Sequence, residues 1–230
     1  MTPHLVVRAV PPFLLPGQDG SAEMESAFLA EAEGILDDAE LQRGRAMEPA
    51  AGLRFLVSRV AQRRFAAGLL GLPEAGLRAS SSCPQCGTGV DVSHGRPGYS
   101  CRGTRLPLAL SLSRAAGWTL LAAVPDAGPE VRLGVDIEDP DRTDFKGFTE
   151  LALAPAEREA MRDVAPKALP AEHARLWARK EAWLKMTGAG LRTAPSSLDV
   201  RTLPGLRDLA PAETGLPARL AAAVALSPSG

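Results

Sequence analysis

The chain predicts a mixed α/β fold, on three observations. Apolar residues at helical spacing run through its first third, from Met24 to Leu70. Three strand-like segments follow one another between Leu108 and Glu138, and a long helical stretch, Ala171 to Met186, closes on Gly188. Helices before and after a block of strands are the signature of mixed layers rather than of a bundle or a sandwich.

Each element has its own reason. Residues 1–20 read as an irregular or edge-strand lead-in, because Pro11, Pro12 and Pro16 interrupt any ladder. Ser21 can cap a helix carrying Met24, Phe28, Leu29 and Ile35. A second helix spans about Gly52 to Leu70, with Leu53, Leu56, Val57, Val60 and Phe65 on its apolar face. Residues 73–107, rich in Gly, Pro, Ser and Cys, read as loop with short strands. Leu108, Leu110 and Leu112 then alternate with Ala109, Ser111 and Ser113 as a strand does. Turns at Ala115–Gly117 and Pro125–Pro129 separate it from strands over Trp118–Val124 and Val131–Glu138. Pro155 and Glu157 mark a helix start, with proline in the first turn and an acid near the positive end. Gly188 stops the long helix. Ser197 to Leu203 is expected to be one more strand, and the Ala-, Pro- and Gly-rich tail after Pro211 is poorly specified.

Composition excludes more than it selects. The formal net charge of −1 carries no global signature for nucleic acid. No stretch has the length of a membrane span, and residues 1–16 lack a charged segment leading into an apolar run. A cytoplasmic protein is the expectation. Charge is uneven, however. Eight acids and no basic residue lie between Asp19 and Glu40; Arg43, Arg45, Arg54, Arg59, Arg63 and Arg64 then face the single acid Glu48 before Leu72. Either these are two solvated faces, or the arginines face phosphates or an acidic protein.

The chemistry concentrates in two segments. In Gly134-Val135-Asp136-Ile137-Glu138, strand alternation sends both carboxylates from one face. In Trp177-Ala178-Arg179-Lys180-Glu181-Ala182-Trp183-Leu184-Lys185, the residues Trp177, Glu181 and Lys185 share one helical stripe. A third carboxylate beside the first two makes an oxygen-rich site suited to magnesium, and nearby lysines suit a phosphate-bearing ligand. Plain surface charge, with Lys185 paired to Glu181, is the competing reading.

These motifs, with Gly188-Ala189-Gly190-Leu191 after them, resemble the 4′-phosphopantetheinyl transferase family. The likeness is greatest to its long, single-chain type, which modifies carrier proteins of secondary metabolism. It reaches back through Ser111-Leu112-Ser113, Gly95-Arg96-Pro97 and Arg54, covering roughly residues 40 to 200. The resemblance implies two similar α/β halves about a pseudo-two-fold axis with the active site at their interface. The halves would be residues 1–107, with coenzyme A-binding helices and the Cys/Gly/Pro-rich loop, and residues 108–230, with the metal-binding strand and helix. It implies Mg²⁺ on Asp136, Glu138 and Glu181, and coenzyme A as co-substrate. Glu181 and Lys185 become the catalytic residues, with cofactor contacts from Arg54, Arg96, Ser113, Arg114, Lys180 and Lys185. The implied reaction moves phosphopantetheine to a serine of an acyl- or peptidyl-carrier protein, docked by an arginine-bearing helix, with the enzyme working as a monomer. Arg114 stands where many members carry histidine.

Cys83-Pro84-Gln85-Cys86-Gly87, then His94 and Cys101, has spacing that zinc could use. A zinc-stabilised, non-catalytic binding module is therefore one rival reading. Another magnesium-dependent phosphoryl-transfer enzyme is a second.

Overall fold

The computed structural model describes residues 4–13, 22–83, 87–89 and 95–227. The helix cap expected at Ser21 and the candidate zinc ligands Cys86 and His94 lie outside them. Mixed α/β architecture is observed, built from helices and small antiparallel sheets. After β1 (Val6–Val10) come α1 (Ala22–Ile35), α2 (Asp38–Arg45) and α3 (Pro49–Leu70), then the short strands β2 (Arg78–Ala79), β3 (Ser81–Cys83), β4 (Gly87–Gly89), β5 (Tyr99–Cys101) and β6 (Thr104–Arg105). Next are β7 (Leu108–Ala115), β8 (Trp118–Pro125), β9 (Leu133–Glu138), α4 (Pro140–Thr143), α5 (Phe148–Ala152), α6 (Pro155–Met161) and α7 (Leu169–Thr187). The last elements are β10 (Leu206–Asp208), α8 (Pro211–Thr214) and β11 (Ala221–Leu226). Two compact units result, Val10–Leu108 and Met1–Ala9 with Ala109–Gly230.

In the first unit, α1 to α3 close a small apolar core of Ala32, Leu36, Leu41, Phe55, Leu56 and Val60. Its arginines correct an expectation. Instead of presenting a free basic face, most of them neutralise the preceding acidic block. Arg63, with no exposed side-chain surface, pairs with Asp37 at 2.9 Å and with Glu40, and donates to Ile35 O and Leu77 O. Arg59 pairs with Glu40, Arg45 with Glu33, and Arg64 with Glu31 and Glu74. Opposite charges 10 to 33 residues apart hold the helices in register. The short break at Asp37 that separates α1 from α2 exists to serve this network: its carboxylate also accepts from Ala79 N at 2.8 Å. Arg54 is exposed on α3.

The second unit holds two three-stranded sheets, ordered β1-β8-β7 and β10-β11-β9. The three consecutive strands expected from the sequence therefore belong to two different sheets. β1 takes the expected edge position. The tail that was poorly specified in sequence supplies β11, the central strand of its sheet, antiparallel to β9 with Ala223 opposite Asp136 and Ala225 opposite Gly134. Alternate faces of these strands feed two cores. Leu133, Val135, Ile137, Ala222 and Val224 join Leu120, Ala122 and Val124; Ala223 and Ala225 meet α7 through Ala178, Ala182 and Met186.

Ser197 to Leu203 is not a strand. Pro195–Ser197 forms a single tight turn and the chain continues irregularly. Its backbone groups are claimed by side chains instead of a ladder. Lys180 Nζ donates to Pro195 O at 3.0 Å and to Leu198 O, Arg179 donates to Val200 O and Arg201 O, and Val200 N donates to Glu157. A segment whose polar groups are satisfied this way has no call for a neighbouring strand.

Candidate active site

The site is built where α7 crosses β9. Gly134 makes the crossing close: a Cβ there would lie 1.9 Å from Ala182 O and 2.6 Å from Met186 N, inside the helix backbone. Glycine is required for this approach. Asp136 and Glu138 follow at strand spacing on the same face, so they lie under the helix, as the alternation predicts. β9 carries neither on a solvent face, since Asp136 is only 2% exposed and Glu138 is partly covered.

Asp136 is the centre. Its Oδ1 accepts from Ser113 Oγ at 2.6 Å and from Lys185 Nζ at 2.6 Å, while Lys185 also donates to Val135 O at 3.2 Å. Its Oδ2 is buried and has no hydrogen-bond partner among the described residues. Two serines of β7 bind this strand through their hydroxyls: Ser113 as above, and Ser111 by accepting from Val135 N at 2.9 Å. Ser113, which the resemblance gives to the cofactor, donates its hydroxyl to this carboxylate.

The three carboxylates feel one another. Burial raises the Asp136 pKa, against the pull of Lys185, Ser113 and the Ile137 N–H. Burial, then the Asp136 charge, pushes Glu138 up to about 7. Glu181 is raised for the same two reasons, with Lys185 opposing. Burial disfavours each charge, and like charges add to the cost. Among the described residues, no group of three or more His, Cys, Asp or Glu is placed to hold a metal ion, Asp136, Glu138 and Glu181 included. Their chemistry nonetheless fits a hard divalent cation. They offer oxygen donors only, each held against its own charge by its neighbours, and one buried oxygen is left bare.

Lys180 departs from its expected role. Its side chain is fully buried, as is that of its partner Glu157, 2.6 Å away, and its bonds run to Glu157, Pro195 O and Leu198 O. Nothing remains to meet a phosphate. Arg179, the preceding residue, also turns inward, pairing with Asp208 at 3.0 Å. The four-residue step placed Lys185, and neither of these two cations, on the Glu181 stripe, but nothing in the sequence said that they would be buried. Trp177 packs as an anchor, its ring edge-on to Phe148 at 6.1 Å.

The remaining candidates belong to other elements. Arg114 is exposed on β7, one residue beyond Ser113 and so on the strand's other face. Arg54 and Arg96 belong to the unit Val10–Leu108. Arg96 is fixed at the backbone by a two-way bridge to Ser82, both bonds 2.9 Å, beside Gly95, whose φ of +89° only glycine takes readily. Among the described residues, neither Cys83 nor Cys101 is joined in a disulfide.

Residues 132–220 match the family model of the 4′-phosphopantetheinyl transferase superfamily. The matched segment contains Asp136, Glu138, Glu181 and Lys185 and supports phosphopantetheine transfer as the class of activity. No curated protein matches the chain. No described helix is long and apolar enough to cross a membrane.

Proposed function

We propose that this protein is a magnesium-dependent 4′-phosphopantetheinyl transferase, taking its group from coenzyme A and delivering it to a serine of an acyl- or peptidyl-carrier protein. The observation that carries the reading is Asp136: buried under α7, with one oxygen doubly engaged, the other bare, and two further carboxylates coupled to it.

Asp136, Glu138 and Glu181 would hold the metal, which supplies charge neutralisation at the pyrophosphate. Glu181, its proton affinity raised by burial and by Asp136, is suited to take the proton of the attacking serine hydroxyl. A bond forms between that oxygen and the phosphorus bearing pantetheine, and the bond to the bridging oxygen breaks. Adenosine 3′,5′-bisphosphate leaves. Lys185, a third exposed and already at the carboxylate cluster, is placed to offset the charge that develops on the leaving phosphate. The nucleophile comes from the partner. Cofactor contacts by Arg54, Arg96 and Arg114, the pseudo-two-fold pairing of halves, and carrier proteins of secondary metabolism as substrates belong to the same proposal, by resemblance.

Intact-mass analysis of an apo carrier protein incubated with this protein, coenzyme A and Mg²⁺ tests it. A phosphopantetheine-sized gain that EDTA abolishes is expected. A folded protein that modifies none of several carriers would sink the reading.

A further inference from the structure

We infer that Ser113 is a positioning residue for Asp136, fixing which carboxylate oxygen is offered to a divalent cation, and that it does not bind coenzyme A. The inference rests on the reading of Asp136 as a metal ligand.

A buried carboxylate with no directional partner can rotate and present either oxygen. Here the two oxygens are unequal. Ser113 Oγ and Lys185 Nζ both donate to Oδ1 at 2.6 Å, and Oδ2 has no hydrogen-bond partner among the described residues. The two donors are not equivalent either. Lys185 carries charge and sits at the end of a flexible, partly exposed side chain, so it is free to follow an anionic ligand. Ser113 is neutral, buried, short and anchored on β7, whose other serine, Ser111, is bonded to the neighbouring Val135 N–H. It is the donor that stays. An orienting bond of this kind lowers the freedom the carboxylate must give up when a cation arrives, and removing one commonly costs about 10–100-fold in metal affinity. The adjacent side chain on β7, Arg114, leaves the strand on the opposite face and is exposed, so it cannot substitute.

Mn²⁺ binding, read from the loss of the free-ion electron paramagnetic resonance signal without coenzyme A, tests this in the full chain. The arms are wild type, Ser113→Ala, Ser113→Cys and Ser113→Thr, each checked for folding by circular dichroism. Ser113→Cys, similar in size but a weak donor, serves if Ser113→Ala does not fold. The expected result is Mn²⁺ affinity lowered about tenfold or more in Ser113→Ala and Ser113→Cys and restored in Ser113→Thr, with coenzyme A affinity in EDTA unchanged. Wild-type affinity in the alanine and cysteine variants overturns the inference while leaving the transferase reading standing. Intact Mn²⁺ binding with weakened coenzyme A binding also overturns it and returns Ser113 to the cofactor. A wild-type protein that takes up no Mn²⁺ overturns the metal assignment and this inference with it.

Discussion

In the proposed mechanism, Glu181 is the residue on which the chemistry turns. Replacing it by glutamine keeps the volume and removes the charge and the basic oxygen. Glu181→Gln is expected to lose transfer by at least about 100-fold, the usual worth of a positioned base, with an unchanged thermal melt. The mass assay measures this, and a variant running at the wild-type rate would remove Glu181 from the mechanism. Much of this site was legible in the bare sequence. Strand alternation put Asp136 and Glu138 on one face, and the four-residue step put Glu181 and Lys185 on one stripe. What alternation could not supply was depth. The same pattern describes a solvated strand face, and only α7 lying on Gly134 converts it into a buried one. Spacing put Lys185 and not Lys180 on the Glu181 stripe, but it could not say that Lys180 would be buried. Five residues apart they point different ways round the helix, and which of those ways meets Glu157 is a tertiary fact.

At the scale of elements, side-chain ions do work usually left to backbone ladders. Lys180 and Glu157, both without exposed surface, tie α7 to α6 and to the irregular segment 195–200. Removing one partner leaves a buried, uncompensated charge. Lys180→Met is therefore expected to cost about 3–5 kcal/mol in denaturant unfolding, and adding Glu157→Gln should recover part of it. A loss typical of a surface lysine, about 1 kcal/mol or less, would contradict the clamp. This clamp also explains the failed strand at Ser197–Leu203. Apolar alternation there was real, but the backbone partners had been taken. The miss at β11 has another cause: alanine has little preference for strands, and a strand buried on both faces shows no alternation.

The helical elements of the unit Val10–Leu108 carry a pH dependence of definite sign. Burial alone would raise the Asp37 pKa, but the Arg63 guanidinium, the Ala79 N–H and the Arg78 charge bring it below the ordinary 3.8. A depressed carboxyl stabilises the folded state above that ordinary value and loses the contribution as pH falls through the folded one. Unfolding midpoints at pH 7 and pH 3 should therefore differ less in Asp37→Asn than in wild type, the variant being already weaker at pH 7. An acid limb as steep in the variant as in wild type would show that Asp37 is not its source.

For the whole molecule, chain order and spatial order part company. The first strand belongs with the unit Ala109–Gly230: β1 lies beside β8, and Leu5, Val7 and Ala9 pack against the core that holds the far face of β9. Deleting residues 1–9 uncovers β8. Hydrogen–deuterium exchange over Trp118–Pro125 is expected to quicken markedly in that deletion. Unchanged protection would mean that β1 contributes little to this sheet. Nothing local in residues 1–20 could have announced such a partner, because pairing at this separation is set by the rest of the chain.

The contact at Gly134 has a further consequence. Where a helix and a strand meet through intervening side chains, their separation floats with rotamers, and any repacking nearby moves what they carry. Here the floor beneath α7 is Gly134, Ala223 and Ala225, and main chain rests almost directly on main chain. The gap between the acid-bearing strand and the lysine-bearing helix is thus set by bond lengths and atomic radii, which no substitution elsewhere can alter. Such a joint behaves as a fixed datum in a machined part. Substitutions on outward-facing surfaces leave untouched the distance at which Asp136 meets α7.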